Sequence, residues 1–176
     1  IKKNRDQKPY SNKEYILRIL WAFSKPLFNF SPRNAFKWRS FILTMFGAEI
    51  GKNVHIYSSA KIYMPWMLKI GDNSCIGEWA LIYNLGMIEI GKNVTISHKV
   101  HLCAGTHDYK NPDLTLIRSN ILIKDNVWLC ADCFLGPGIV VGEGAIISAR
   151  SVVFSNIKDW NIVRGNPAQY LKKREL

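Results

Sequence analysis

Residues 88–102 read IEIGKNVTISHKVHL, and the same phrase returns in variant form as LKIGDNSCIGEWALI at 68–82 and ILIKDNVWLCADCFL at 121–135. Aligned, the three stretches place an aliphatic residue at every sixth position: Ile70, Ile76, Ile82; Ile90, Ile96, Leu102; Ile123, Leu129, Leu135. Reading outward, Ile50, Ile56 and Ile62 precede this series, and Val141, Ile147 and Val153 follow it. The spacing slips only after every third site, adding two, two and fifteen residues at the first three boundaries and none at the fourth. A six-residue side whose every third corner tolerates insertion describes a triangular coil. The middle of the chain is therefore expected to be a parallel β-helix of hexapeptide strands.

Four residues after most aliphatic sites comes a second inward position with a small or β-branched residue, at Val54, Ala60, Ser74, Ala80, Val94, Val100, Thr106, Val127, Cys133, Ala145 and Ser151. Gly51, Gly71, Gly77, Gly91, Gly136 and Gly142 directly follow an aliphatic site, where a tight corner favours glycine. Three sides of six make one coil, so about five coils stack at ~4.8 Å each. The longest slip, after Leu102, creates a loop over residues 107–121 at the corner that carries the two shorter insertions. Long loops in otherwise regular domains tend to serve function.

The flanks read differently. Residues 1–47 form a helical cap, with an amphipathic helix over 11–25 (Ile16, Ile19, Leu20, Phe23) and a second helix begun by Ser31-Pro32 and stopped at Gly47. The β-helix domain spans 48–165, and residues 166–176 read as a turn into a short basic helix. Of the net charge of +11, +8 lies in residues 1–47, where ten Lys or Arg face only Asp6 and Glu14. One reading has the cap covering the open end of the β-helix. The other adds a peripheral membrane contact through the same basic, aromatic segment. Nucleic acid is not expected as a partner, because neither a basic arm nor a known reading motif is present. Four cysteines and no cleavable leader point to the cytoplasm, at most at the inner face of the membrane.

His107 stands where the regular wall gives way to the long loop, and a histidine there can serve as a general base. Four segments surround this reading: Cys103-Ala104-Gly105-Thr106-His107-Asp108-Tyr109, Asp125-Asn126-Val127-Trp128, Gly136-Pro137-Gly138 and Gly165-Asn166-Pro167-Ala168. Together they resemble the hexapeptide-repeat acetyltransferases. The Trp38-Arg39 and Phe46-Gly47-Ala48 segments and the Tyr83-Asn84-Leu85-Gly86 corner resemble the exopolysaccharide (colanic acid) branch.

The resemblance implies a left-handed β-helix, a homotrimer and active sites in clefts between subunits. It further implies O-acetyl transfer from acetyl-CoA directly to a sugar hydroxyl of an exopolysaccharide or related glycan precursor, nucleotide-linked or lipid-linked, with His107 as the general base and no metal. On the acceptor side it points to Asn84, and Asp108 either orients the imidazole or the acceptor or organises the turn. On the acetyl-CoA side it points to Trp128, Ala131, Ala149, Arg150, Lys172 and Lys173. Ser155 and Gln169 depart from the lysine and arginine common in the sugar acetyltransferases.

Three rival readings stand beside this one. Cys130 and Cys133 mimic a CxxC site, but their places on the repeat point them differently, and packing is expected. His55, His101 and His107 lie on different sides of the triangle, so a metal-dependent lyase like the γ-class carbonic anhydrases would need ligands from separate subunits. A non-catalytic trimeric scaffold or sugar-binding module is the third.

Overall fold

A computed structural model describes residues 9–175. Two helices, α1 (Asn12–Asn29) and α2 (Phe36–Met45), precede nineteen short strands numbered β1–β19 in chain order. Parallel strands stack into three walls: sheet A, β1 (Glu49–Ile50), β4 (Leu68–Ile70), β7 (Ile88–Ile90), β12 (Ile121–Ile123) and β15 (Val140–Val141); sheet B, β2 (His55–Ile56), β5 (Cys75–Ile76), β8 (Thr95–Ile96), β13 (Trp128–Leu129), β16 (Ile146–Ile147) and β18 (Asn161–Arg164); and sheet C, β3 (Lys61–Ile62), β6 (Leu81–Tyr83), β9 (His101–Cys103), β14 (Phe134–Leu135) and β17 (Val152–Val153). The register is that of the six-residue repeat, with Ile50 beside Ile70, Ile76 beside Ile96, and Leu102 beside Leu135. Every one of the fifteen repeat sites is buried except Ile50, on the first strand, which is half-buried. All three insertions leave the corner between sheets C and A.

The count of coils exceeds the expected five. Ile157 bridges to Val141, and Val163 in β18 (Asn161–Arg164) pairs with Ile147, which begins a sixth turn after a coil two residues short. The expected basic helix over 166–176 is instead a strand, β19 (Gln169–Lys173), antiparallel to β18. The physical reason is the open edge of β18: its unpaired backbone takes the tail as a partner, which outweighs the modest helix propensity of Tyr170, Leu171 and Lys172. Thr106, expected to point inward, is exposed because the chain leaves the wall before reaching it.

The corners also differ from expectation. At Gly71 the backbone is not left-handed; a Cβ there would sit 2.6 Å from the Gly91 carbonyl carbon of the next coil. Close approach, not turning, demands glycine. The left-handed residues come two places later, at Asn53, Asn73, Asn93 and Asn126, with φ between 54° and 61°. Their amides form a ladder down the corner, Asn53 donating to Asn73 (3.0 Å), Asn73 to Asn93 (3.4 Å) and Asn93 to Asn126 (3.1 Å). Asparagine tolerates this conformation and supplies both donor and acceptor.

At the other end, the cap closes the first coil through hydrogen bonds as well as apolar packing. The buried Trp21 indole N–H donates to the Ile62 carbonyl (2.9 Å), and Arg39, fully buried, donates from Nε to the Ile56 carbonyl (2.5 Å). Arg39 also holds Ser31 Oγ (2.7 Å) and the carbonyls of Pro32 (2.8 Å) and Arg33 (2.6 Å). Thus Ser31 does not start the second helix; Ala35 precedes it without a side-chain cap, and Ser31 serves the buried guanidinium instead. Helix α1 runs beyond the expected 25 to Asn29 and starts with a capping box between Ser11 and Glu14. No helix of the described residues is long and apolar enough to cross a membrane.

Candidate active site

The long insertion is a hairpin. Strand β10 (Gly105–His107) pairs antiparallel with β11 (Leu116–Arg118), setting His107 opposite Leu116. Beyond His107 the chain tightens: the Asp108 amide donates to the Thr115 carbonyl (2.8 Å), and Asp108 Oδ1 accepts from the Lys110 amide (3.0 Å). Of the two expected roles of Asp108, the turn-organising contact is the one present. Leu114 takes a left-handed conformation, φ 50°, which costs a non-glycine residue about 1–2 kcal/mol.

This conformation accompanies the contact that defines the histidine. His107 Nδ1 lies 2.6 Å from the Leu114 carbonyl oxygen. A carbonyl only accepts, so Nδ1 carries a proton, and in the neutral ring the lone pair is on Nε2. The ring is exposed, held on one side and available on the other. That is the state a general base needs before it takes a proton.

At its base the hairpin is fastened to the cap. Arg118 pairs with Glu14 (2.6 Å), donates to the Pro9 carbonyl (2.7 Å) and lies over the Tyr10 ring, 5.0 Å from its centre. Burial alone would push the Glu14 carboxyl up. The hydrogen bonds from Arg118 and from the Ser11 amide and hydroxyl outweigh it and hold the group below its usual range. The sequence gives no local sign of this long-range latch.

The residues expected around acetyl-CoA gather on sheet B and its corner with sheet C. Trp128 begins β13 (Trp128–Leu129); its indole is 45% exposed and donates to Ser97 Oγ (3.0 Å). Ala131 and Arg150 stack at the corner, the Arg150 amide donating to the Ala131 carbonyl (3.0 Å), with exposed Ala149 beside them. The Arg150 side chain reaches Asp132 (3.5 Å) in an exposed pair. Lys172 and Lys173 are exposed on β19, and Lys173 Nζ donates to the Asp159 carbonyl (2.9 Å). His107, by contrast, hangs from the corner between sheets C and A. One chain does not bring the histidine and the tryptophan to the same corner.

Asn84 has a different place from the one expected. It is fully buried, its Oδ1 accepting from the amides of Tyr63 (3.2 Å) and Met64 (3.0 Å). Its Nδ2 donates to the carbonyls of Met64 (2.6 Å) and Met67 (3.1 Å). The amide is committed to a turn. Cys133 is buried, and desolvation pushes its thiol up to about 12; burial also raises Cys130 and Cys75. Such thiols are poor nucleophiles. His55 stacks on Phe36 (4.3 Å), while His101 meets Phe134 edge-on (5.0 Å), where burial lowers its proton affinity. Among the described residues, no group of three His, Cys, Asp or Glu side chains is placed to hold a metal ion.

No protein-family model matches the chain. Over 158 residues it is 40% identical to the Escherichia coli K12 protein named "Putative colanic acid biosynthesis acetyltransferase WcaF", covering 90% of this chain and 87% of the relative. The chain belongs to the hexapeptide-repeat acetyltransferases. It superposes on a hexapeptide-repeat acetyltransferase of Vibrio cholerae solved with acetyl coenzyme A, with a TM-score of 0.86, 22% identity and coverage of 96% and 93%. A maltose O-acetyltransferase of Clostridium difficile 630 gives a TM-score of 0.85 at 24% identity, covering 94% of this chain and 90% of that one. At such identities these structures speak for the fold. The acetyltransferase expected from the motifs rests on the 40%-identical relative.

Proposed function

We propose that this acetyltransferase moves an acetyl group from acetyl-CoA directly to a sugar hydroxyl of an exopolysaccharide or related glycan precursor, with His107 as the general base. The observation that carries the reading is the contact between Nδ1 and the Leu114 carbonyl, which leaves Nε2 as the proton-accepting nitrogen. As the acceptor oxygen attacks the thioester carbonyl, its proton passes to Nε2. The C–S bond then breaks, the ester forms, and the imidazolium returns the proton to the CoA thiolate. Amides of the adjoining coil would steady the oxyanion, an effect worth several kcal/mol when one such donor is removed.

The placement of His107 and Trp128 at separate corners supports a site assembled from two subunits of a homotrimer, whose coils wind left-handed as in the family. In that arrangement the Trp128 indole, fixed by Ser97, borders the pantetheine arm. The backbone at Ala131 and Ala149 lines the same path. Arg150, Lys172 and Lys173 supply cations for the CoA phosphates. Asp108 belongs to the hairpin turn, and Asn84 drops out of the acceptor set because its amide is consumed within the fold. The colanic acid relative and the two cation-rich flanks favour a bacterial surface glycan made on the cytoplasmic side.

The test is transfer of labelled acetyl from acetyl-CoA to a panel of sugar nucleotides and lipid-linked oligosaccharides. His107→Ala should lose transfer while sedimentation still reports a trimer. Near-normal turnover in that variant would remove the assignment.

A further inference from the structure

Helix α1 has two faces with opposite characters. Its inner face, Arg18, Trp21, Lys25 and Asn29, lines a cavity of about 400 Å³ against the first strand of sheet C, where Lys61 and Tyr63 form the far wall. Three cations line it, and among the described residues no Asp or Glu does. Among the described residues none of Arg18, Lys25 and Lys61 is ion-paired. Among the described residues the Nη1 of Arg18 is buried with no hydrogen-bond partner. Buried donors are satisfied in the large majority of cases, so an orphaned guanidinium nitrogen asks for an acceptor. Burial pushes the Lys25 ammonium down, and the charge of Arg18 pushes it the same way. Two like charges are thus held together at a cost that an anion between them would reverse.

The guanidinium of Arg18 does rest on Tyr10, 4.2 Å from the ring centre. That contact accounts for its flat face but not for Nη1; the Lys25 ammonium lies 5.9 Å from the centre of the Tyr63 ring, which leaves its N–H donors without an anion. The same Tyr10 ring also carries Arg118 of the catalytic hairpin. On the wall of the cavity, Tyr63 packs edge-on against Tyr83 (4.6 Å), and Tyr83 is in register with Cys103, two residues before the hairpin begins. Tyr63 and Cys103 are two coils apart, about 10 Å at the inter-strand spacing. The cavity wall is thus joined, along one corner of the coil, to the strand that leads into the hairpin.

We infer that this cavity holds a phosphate ester of the acceptor, Arg18, Lys25 and Lys61 binding its oxygens while the attached sugar extends toward the hairpin. The inference rests on the sugar-acceptor reading above and narrows the acceptor to a phosphorylated or diphosphate-linked one. A nucleotide and a lipid carrier both supply that group. The outer face of α1 bears on the choice, since Ile16, Ile19, Phe23 and Leu27 are 57–80% exposed there.

The experiment is calorimetric titration of inorganic pyrophosphate into the trimer already saturated with CoA, so that the CoA phosphate contacts are filled. Binding should be measurable, and Lys25→Gln/Lys61→Gln should weaken it at least tenfold with CoA affinity unchanged. Absence of pyrophosphate binding, or equal affinity in the double variant, overturns the site. Loss of CoA binding by the wild type would instead overturn the acetyltransferase mechanism. A second arm sediments the protein with vesicles of phosphatidylglycerol in phosphatidylcholine. Vesicle binding that Phe23→Ser/Leu27→Ser abolishes, with pyrophosphate affinity retained, supports the cavity with a lipid-borne phosphate. Pyrophosphate binding without vesicle binding supports it with a soluble carrier.

Discussion

Replacing Asn84 by Ala separates a structural amide from a substrate contact, because the two roles move different quantities. The Asn84 carboxamide serves four backbone groups: the amides of Tyr63 and Met64, and the carbonyls of Met64 and Met67. Two of these have other partners, since the Tyr63 amide also meets the Ile82 carbonyl (3.2 Å) and the Met64 carbonyl accepts from Met67 (2.9 Å). The Met64 amide depends on Asn84, and Met64 itself is fully buried. One stranded buried donor costs about 1–3 kcal/mol, and the weakened carbonyls and the small void add to it. A loss of about 3 kcal/mol is therefore expected. For a domain of this size that lowers Tm by roughly 6–12 °C, measured by calorimetry at matched protein concentration. The folded fraction should keep its KM for the acceptor. An unchanged Tm with a tenfold higher acceptor KM would refute the reasoning and return Asn84 to the acceptor site.

Two further outcomes test the remaining assignments. Trp128→Ala should raise the KM for acetyl-CoA about tenfold, as for loss of one desolvated aromatic contact of about 1.4 kcal/mol, and leave the acceptor KM in place; unchanged CoA affinity would count against the channel. The Glu14 carboxyl is held below its ordinary range in the folded protein, so its contribution is fully present above the unfolded value near ~4.3 and lost as pH falls through the folded one. Glu14→Gln should accordingly flatten the acid limb of Tm against pH below about 5, and identical limbs would show that the latch to Arg118 contributes nothing.

The interior of the coil was legible because burial is periodic: an aliphatic residue at every sixth place is what a flat wall with one inward stripe requires. Ile50 is only half-buried since no parallel strand lies above it in sheet A. The ends were less legible, because they answer to partners and not to a repeat. The tail becomes β19 to satisfy the edge of β18, and the cap ends its first coil on Trp21 and Arg39, neither of which belongs to a pattern. His107 stood out as a candidate from its place at the longest insertion. Its partner could not, because the Leu114 carbonyl is aimed by a left-handed backbone that no side chain announces. The hydrogen bonds of Asn84 were hidden for a related reason: a polar residue at a corner reads alike whether its amide faces a ligand or the turn beneath it.

The central claim is that His107 and the acetyl-CoA wall belong to different subunits of one site, and mixed trimers test it most directly. His107→Ala removes the base; Ala149→Trp, at an exposed corner, blocks the CoA path without entering the core. Each variant alone should be inactive. Assembled one to one, random trimers should regain about a quarter of the wild-type activity, since about a quarter of their clefts pair an intact histidine with an open path. Mixed trimers that form, as verified by mass, yet stay at background would contradict the account.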